Sequence, residues 1–278
     1  SKIHPPGQWW TENYGVKQNL FGWYSIIYGV ICEVLAIDFD VVSYKSKNTG
    51  IFVQIMFWLA IVDILGLIAS SISFGYFLIY GYVYCSAPVF VATFGIISMG
   101  VWCGESAGCL LLVSNRMLDL LRMPYVFENR TGYFLCATSL YGLYFAFFTP
   151  PCLVNSKYMA LFFDPFITNA PRKIFSNYPH MVNNLLIVTA SSFLYICLCV
   201  VLFFKKFLSS HESDHKCFLQ VFIQASLICC FNIVASLIYV YMNFFPVSPA
   251  LIVVGQMAWQ LSHGMPPFIY LILNKTIR

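Results

Sequence analysis

Several acidic residues of this 278-residue chain, among them Glu33, Asp63 and Glu105, stand inside long apolar stretches. A carboxylate at membrane depth is costly, and it is retained mainly where it binds an ion, carries a proton or pairs with a ligand. Arg116 lies eleven residues after Glu105, at the end of the third stretch, and Asn115 precedes it. An arginine there can act on a partner at the membrane surface, or it can extend its charged group toward water.

The composition indicates that most side chains face lipid. Hydrophobic residues make up 60% of the chain and charged residues 9%, and the mean hydropathy is +0.76. Soluble domains are about a quarter charged, so this chain cannot cover itself with polar surface. The net charge of +4 fits loop residues beside a membrane better than a nucleic-acid patch. No metal-ligand spacing, phosphate loop or nucleophile arrangement suggests a metal site or an enzyme.

Seven apolar stretches predict membrane-spanning helices, because only helices and closed barrels satisfy the backbone in lipid. The alternating pattern of barrel strands is absent. We therefore predict an all-α fold in which residues 1–278 form one seven-helix transmembrane domain. The predicted spans are Leu20–Val42, Ile51–Ile79, Pro88–Leu118, Tyr133–Phe148, Asn183–Phe204, Phe218–Phe244 and Ala250–Leu273.

The distribution of basic residues predicts the orientation. Cytoplasmic loops are richer in Lys and Arg than the loops on the other side. The richer set of loops follows the first, third, fifth and seventh spans. Because these loops are predicted to be cytoplasmic, the N-terminus is predicted to lie outside. This set contains Lys45, Lys47, Arg116, Arg122, Arg130, Lys205, Lys206, Lys216, Lys275 and Arg278.

Two of the 11 cysteines, Cys85 and Cys152, lie at the predicted outer face. The outer face is oxidising, and this topology offers neither residue another outer partner. We predict a disulfide between them, with two free thiols as the alternative.

The Arg116 region resembles rhodopsin-like G protein-coupled receptors. The third stretch ends in Leu112-Val113-Ser114-Asn115-Arg116, which is similar to their acid-Arg-Tyr motif. Because Asn115 replaces the acid, no local ion pair is expected to hold Arg116 in the resting state. In the second stretch, Leu59-Ala60-Ile61-Val62-Asp63 is similar to their Leu-Ala-x-x-Asp motif.

This resemblance implies that Asp63 and Glu105 face each other. Two close carboxylates cannot both ionise without a counter-charge, so they would share a proton or bind a cation such as sodium. Glu33 is predicted to join them. The alternatives are that Glu33 reaches toward water and that Glu105 bonds to backbone.

The last stretch contains Pro267-Phe268-Ile269-Tyr270, which resembles the Pro-x-x-Tyr hinge of receptor seventh helices. Proline removes a backbone hydrogen bond and allows a kink, so Pro267 and Tyr270 are the predicted hinge. His263, one turn earlier, would supply a polar group to the carboxylates, or it would be a packing residue.

By analogy with these receptors, a ligand pocket is expected in the outer half of the bundle. Five residues reach pocket depth: Ser98, Trp102, Gln256, Trp259 and Gln260. Their aromatic and weakly polar character predicts a small neutral or apolar ligand. Ordinary aromatic packing is the alternative. The long loop after Cys152 would be a lid over this pocket or a structural cap.

Several segments together resemble the nematode serpentine receptor class T chemoreceptors. They are Trp102-Cys103 with Asn115-Arg116, Phe148-Thr149-Pro150-Pro151, Phe162-Phe163-Asp164-Pro165, Tyr239-Val240-Tyr241-Met242 and Trp259 to Arg278. The resemblance implies a multi-pass plasma-membrane receptor, in sensory-neuron cilia, that senses small molecules through a heterotrimeric G protein. Asn115, Arg116, Lys205, Lys206 and Lys216 would contact the G protein. The sixth stretch departs from the rhodopsin-like pattern, with Cys229-Cys230-Phe231-Asn232 and no proline.

Two other classes of membrane protein fit the hydropathy. A seven-span ion-coupled transporter or ligand-gated channel would use Glu33, Asp63 and Glu105 as an ion path, which requires a continuous polar face between the two membrane sides. A trafficking or scaffold protein has no support beyond hydropathy. A polar cluster closed below, toward the Arg116 layer, favours a receptor.

Overall fold

The computed structural model describes residues 5–45, 50–164, 175–208, 212–245 and 247–273. In these residues a short N-terminal helix precedes seven long helical segments, and a small antiparallel sheet follows the fourth of them. The elements are α1 (Gly7–Tyr14), α2 (Asn19–Lys45), α3 (Ile51–Leu67), a π-helical segment (Ile68–Ser73), α4 (Phe74–Tyr80), α5 (Pro88–Leu120), α6 (Thr131–Phe148), β1 (Leu153–Asn155), β2 (Ala160–Phe162), α7 (Tyr178–Leu208), α8 (Glu212–Phe244) and α9 (Pro249–Leu273).

The predicted all-α membrane bundle is confirmed, and each predicted apolar stretch lies within one long helical segment. Five described segments are long and apolar enough to cross a membrane: Asn19–Ile37, Ile51–Tyr80, Pro88–Leu120, Thr131–Phe148 and Tyr178–Phe204. Among the described side chains of α8, the apolar run is Cys229–Met242. The hydropathy of α9 is lowered by four buried polar residues: Gln256, Gln260, Ser262 and His263. This helix turns its polar side chains into the bundle.

Glycine and proline set the turn between the second and third long helices. Gly81 has φ 71° and ψ 34°, a left-handed conformation that glycine adopts without steric cost, and it ends α4. Pro88 occupies the first turn of α5, where its missing N–H is not needed. The turn therefore begins and ends at residues whose types suit those positions.

Small residues allow close contact between α5 and α6. A Cβ atom added to Gly142 would lie 2.7 Å from the carbonyl oxygen of Gly100, so neither helix has room for a larger side chain there. Further along α5, a Cβ atom at Gly108 would lie 2.6 Å from the ring of Trp58. Close approach through small residues is a common basis of helix association in membranes. These contacts fix the depth of α5, which carries Glu105.

The two-stranded sheet closes one end of the bundle, which we call the pocket end. Leu153 pairs with Phe162 and Asn155 with Ala160. The sheet is joined to the turn before α5, because Ser156 N–H donates to the Tyr82 carbonyl at 3.2 Å and Val83 forms a bridge with Asn155. This loop was predicted to be a lid or a structural cap. Its described part covers the bundle end, and residues 165–174 lie outside the description.

Two apolar clusters lie on either side of a polar layer. The cluster at the pocket end includes Phe74, Trp102 and Trp259, and the opposite cluster includes Leu59 and Cys109. Three of the helices that cross both clusters carry a buried ionisable residue between them. These residues are Asp63, Glu105 and His263.

Candidate functional site

Asp63, Glu105 and His263 form a buried ionisable cluster. Their exposed fractions are 3%, 1% and 0%. The Nδ1 atom of His263 lies 3.0 Å from Oδ1 of Asp63, and its Nε2 atom lies 3.4 Å from Oε2 of Glu105. Helices α3, α5 and α9 each supply one member. The structure thus brings the two predicted carboxylates together and inserts the His263 imidazole between them.

His263 can bond to either of two neighbours through Nε2. This atom lies 3.2 Å from the Trp259 indole nitrogen, which can only donate, and 3.4 Å from Glu105. An unprotonated Nε2 accepts from Trp259, whereas a protonated Nε2 donates to an ionised Glu105. When the Nδ1–H group of His263 donates to Asp63, its Nε2 atom can accept from Trp259 or donate to Glu105, but not both at once.

Ser262 also has two alternative hydrogen-bond partners, one in Trp259 and one in Glu105. Its hydroxyl lies 2.9 Å from the backbone carbonyl of Trp259 and 3.4 Å from Oε2 of Glu105. A hydroxyl has one hydrogen, so it donates to one of the two acceptors at a time. Two consecutive residues of α9 can therefore exchange partners between Trp259 and Glu105.

One expectation about this cluster is corrected. Glu33 is half-buried on α2 and is not part of the group of donor atoms around Asp63. The sequence showed no metal-ligand spacing, yet the donor atoms of Asp63, Glu105 and His263 lie within 4.8 Å of one another. This set comes from three different helices, so no local spacing reveals it. Carboxylate and imidazole donors at such distances suit a cation or a shared proton.

The predicted hinge lies directly below the cluster. Pro266 and Pro267 are inside α9, and a proline removes the hydrogen bond to the carbonyl four residues earlier. The affected carbonyls belong to Ser262 and His263. The side chain of Tyr270, the other predicted hinge residue, lies outside the described part of the chain.

A cavity of about 430 Å³ lies at the pocket end, between the helices and the described part of the long loop. Three of the five predicted pocket residues line it: Ser98, Trp102 and Trp259. The rings of Trp102 and Trp259 meet edge to face, with centroids 6.2 Å apart. The other lining residues are Met99, Cys152, Tyr158, Leu161, Phe162, Phe163, Asp164, Phe175, Ser176, His180, Tyr239, Met242, Phe245, Val247 and Ile252.

Gln256 and Gln260 do not line this cavity, which corrects the prediction. Both side-chain amides donate to the backbone carbonyl of Ser70, at 3.2 Å and 3.0 Å. Ser70 belongs to the π-helical segment, where the hydrogen-bond pattern departs from that of an α-helix. The two glutamines therefore bind α9 to the irregular part of the second long helix.

At the other end of the bundle Arg116 has a local ion pair, although none was expected. Its guanidinium lies 3.2 Å from Oδ2 of Asp119 and donates to Oδ1 of Asn115 at 2.8 Å. It also lies over the ring of Phe52, 3.8 Å from the centroid. An acid three residues after the arginine thus replaces the missing acid before it. The side chains of Lys205, Lys206 and Lys216 lie outside the described part of the chain.

The predicted disulfide between Cys85 and Cys152 is not formed, and both residues are free thiols. The Cys152 thiol points into the bundle, 3.6 Å from the carbonyl of Gly95. Gly95 lies seven residues inside α5, about 10 Å along the helix from Pro88. Cys85 precedes that helix, so the two sulfurs lie at different depths. Burial raises the pKa of both thiols, which keeps them protonated at neutral pH.

A membrane bundle of seven long helices, with a cavity at one end and a paired arginine at the other, is typical of seven-helix receptors. The sequence matches the family described as "Serpentine type 7TM GPCR chemoreceptor Srt" over residues 5–278, and the chain belongs to this family. It is 25% identical to Serpentine receptor class T-55 of Caenorhabditis elegans over 276 residues, which cover 96% of this chain and 76% of that protein. The chain is thus a multi-pass plasma-membrane protein of a chemoreceptor family and not of an enzyme family.

Proposed function

We propose that this receptor detects a small molecule in the pocket-end cavity and signals through a heterotrimeric G protein. The observation that carries the proposal is the position of Trp259. Its ring lines the cavity, and its indole nitrogen lies within hydrogen-bond distance of His263. A ligand that contacts Trp259 would therefore act on the ionisable cluster without reaching it.

Ligand binding would change the balance between the two hydrogen-bonding arrangements of α9. A ligand shifts a conformational equilibrium by its differential affinity for the two states. Moving Trp259 away from His263 favours bonds from His263 and Ser262 to Glu105. Pro266 and Pro267 remove the helical hydrogen bonds to the carbonyls of Ser262 and His263, which allows α9 to bend there. The helix could thus pass a change at the cavity to the rest of the bundle.

We propose that Arg116 transmits this change to the G protein. It lies eleven residues beyond Glu105 on α5, about 16 Å along the helix axis. In the structure it is held by Asp119 and Asn115. We propose that activation breaks the pair with Asp119 and frees Arg116 for the G protein. Asn115 and the basic residues Lys205, Lys206 and Lys216 would complete that surface.

We expect Trp259→Phe to raise basal nucleotide exchange about fivefold. The ring remains, but the N–H bond to His263 is lost, and a net hydrogen bond is worth about 1 kcal/mol. Arg116 is paired with Asp119 in this structure, which is the arrangement proposed for the inactive receptor. The Trp259–His263 bond of this structure would therefore stabilise the inactive receptor, and its loss should favour activation. The measurement is GTPγS uptake by heterotrimeric G protein, with the purified receptor in nanodiscs.

Trp102→Phe is the matched control. Its indole also lines the cavity, but it donates to Asn184 at 2.9 Å instead of the cluster. Basal exchange should stay within about twofold of wild type. Equal increases in both variants would contradict the coupling through His263. Ligand-gated current through the receptor without any G protein would contradict the proposed function.

We also propose that the cluster binds sodium or shares a proton. Oε1 of Glu105 is buried without a hydrogen-bond partner, and Asn232 lies beside this carboxylate. Replacing choline chloride by sodium chloride should raise the Tm of the wild-type receptor, and Glu105→Gln should abolish that increase. Glu33→Gln, outside the cluster, should retain it. A wild-type Tm indifferent to both sodium and pH would refute both forms of the proposal.

The ion-path function is not favoured by the described residues. Below the cluster, Leu112, Val113 and Ile269 form part of an apolar layer before Arg116. Leu112 and Val113 are fully buried. The polar cluster is therefore closed toward that end of the bundle in the part of the chain that the structure describes.

A further inference from the structure

Two buried polar atoms in the wall of the cavity lack a hydrogen-bond partner: Oγ of Ser98 and Nδ1 of His180. Their residues are 1% and 6% exposed. The Cys152 thiol lies within hydrogen-bond reach of Ser98, but a thiol is a weak hydrogen-bonding group and this one is directed at the Gly95 carbonyl, so it does not satisfy the Ser98 hydroxyl. Buried polar groups are normally satisfied, so each of these atoms offers a hydrogen bond to a bound molecule.

The imidazole of His180 is held in place by its surroundings. Oδ1 of Asn177 accepts the backbone N–H of His180 at 2.9 Å, while Nδ2 of Asn177 donates to the Pro150 carbonyl at 2.9 Å. The His180 ring packs edge to face against Phe163, with centroids 5.1 Å apart. Asn177 thus caps the start of α7 and joins it to the end of the fourth long helix. The hydrogen-bonding atom is positioned before a ligand arrives.

The charged groups among the described lining residues favour neither an anionic nor a cationic ligand. These residues include no Lys or Arg, so they offer no counter-ion to an anionic ligand. The carboxylate among them is that of Asp164, which already interacts with other protein groups. Aromatic rings of Trp102, Tyr239 and Trp259 form much of the remaining wall. An apolar body fits these walls better than a charged one.

We propose that the cavity binds a neutral, mainly apolar molecule with one or two hydrogen-bonding oxygens, which bind Nδ1 of His180 and Oγ of Ser98. The cavity volume of about 430 Å³ suits roughly a dozen non-hydrogen atoms, since a water in the liquid occupies about 30 Å³. The proposal names the ligand class and rests on the proposed ligand-sensing function.

A matched eight-carbon series tests this proposal: 2-octanone, 1-octanol, octane, octylamine and octanoate. Binding is measured without a G protein, as the increase in Tm of the purified receptor in nanodiscs. The two neutral oxygenated compounds should raise Tm, and the other three should not. Octane also controls for partition into lipid. His180→Phe keeps a ring but removes the nitrogen, and it should weaken 2-octanone binding about tenfold.

Ser98→Ala is the second variant, with an expected loss of about threefold, and it remains usable if His180→Phe lowers the Tm of the free receptor. Gly132→Ala, which lies outside the described cavity lining and has open space around its added Cβ atom, should bind the series as wild type does. Three results would overturn the proposal. They are a larger Tm shift with octylamine or octanoate than with the oxygenated compounds, no Tm shift with either oxygenated compound, and unchanged 2-octanone binding in both His180→Phe and Ser98→Ala. Binding in this assay without nucleotide exchange would instead count against G-protein signalling alone.

Discussion

Replacing Arg116 by alanine is expected to reduce G-protein activation at least about 100-fold. Hydrogen bonds to charged groups contribute about 1.5–3 kcal/mol each, and losing about 3 kcal/mol lowers an equilibrium by two orders of magnitude. The measurement is GTPγS uptake. Because Arg116 lies at the opposite end of the bundle from the cavity, binding of 2-octanone should not change in this variant.

Asp119→Asn should change nucleotide exchange in the opposite direction from Arg116→Ala. It removes the carboxylate that lies 3.2 Å from Arg116, so it frees the guanidinium instead of deleting it. We expect basal nucleotide exchange to rise two- to fivefold, because a partly exposed ion pair contributes about 0–1 kcal/mol. For Arg116→Ala, the control for the loss of a positive charge alone is Arg130→Ala, because Arg130 is exposed at the start of α6. Full activation by the Arg116→Ala receptor would exclude Arg116 as the group that transmits the change to the G protein.

Removing His263 should produce the largest loss of stability. In His263→Leu the carboxylate of Asp63 loses its partner at 3.0 Å while it remains buried. Breaking a buried pair from one side costs about 3–5 kcal/mol, mostly because a charge is left without compensation. We expect a clear fall in Tm, or loss of folded receptor at ordinary temperature, measured by thermal unfolding in detergent.

The double variant Asp63→Asn with His263→Leu should recover part of this loss. A neutral amide is less costly to bury than a carboxylate that has lost the His263 imidazole, so the two changes should couple by about 1–3 kcal/mol. Additive losses would show that the two residues do not act as a pair. Gly66→Ala gives an independent check, because its Cβ atom would lie 2.5 Å from the His263 ring. Gly132→Ala, with open space around it, is the matched control.

Much of this site could be predicted from residue type and hydropathy. Asp63 and Glu105 stand out because a carboxylate in an apolar helix has few inexpensive environments. By analogy with rhodopsin-like receptors, Ser98, Trp102 and Trp259 are expected at pocket depth, and all three line the cavity. The membrane restricts both the secondary structure and the depth of a residue, which makes such an analogy possible.

His180 and Asp119 were missed for a local reason. His180 is the third residue of α7, and its burial depends on the cap from Asn177 and the ring of Phe163. Asp119 lies three residues after Arg116, a spacing at which helical side chains meet. The sequence contains this spacing, but the acid of the receptor motif precedes the arginine, so the motif does not point to Asp119.

The amino-acid sequence is enough to predict that the chain crosses a membrane as helices and that it buries carboxylates inside them. Hydropathy and the cost of burying charge act on each segment separately, so they can be read without knowing its neighbours. The partners of the buried polar groups depend on tertiary packing. The packing of helices directs His263 at Asp63, Gln256 at Ser70 and Cys152 at Gly95. The depth and rotation of helices depend on contacts between residues far apart in the chain, which no local pattern contains.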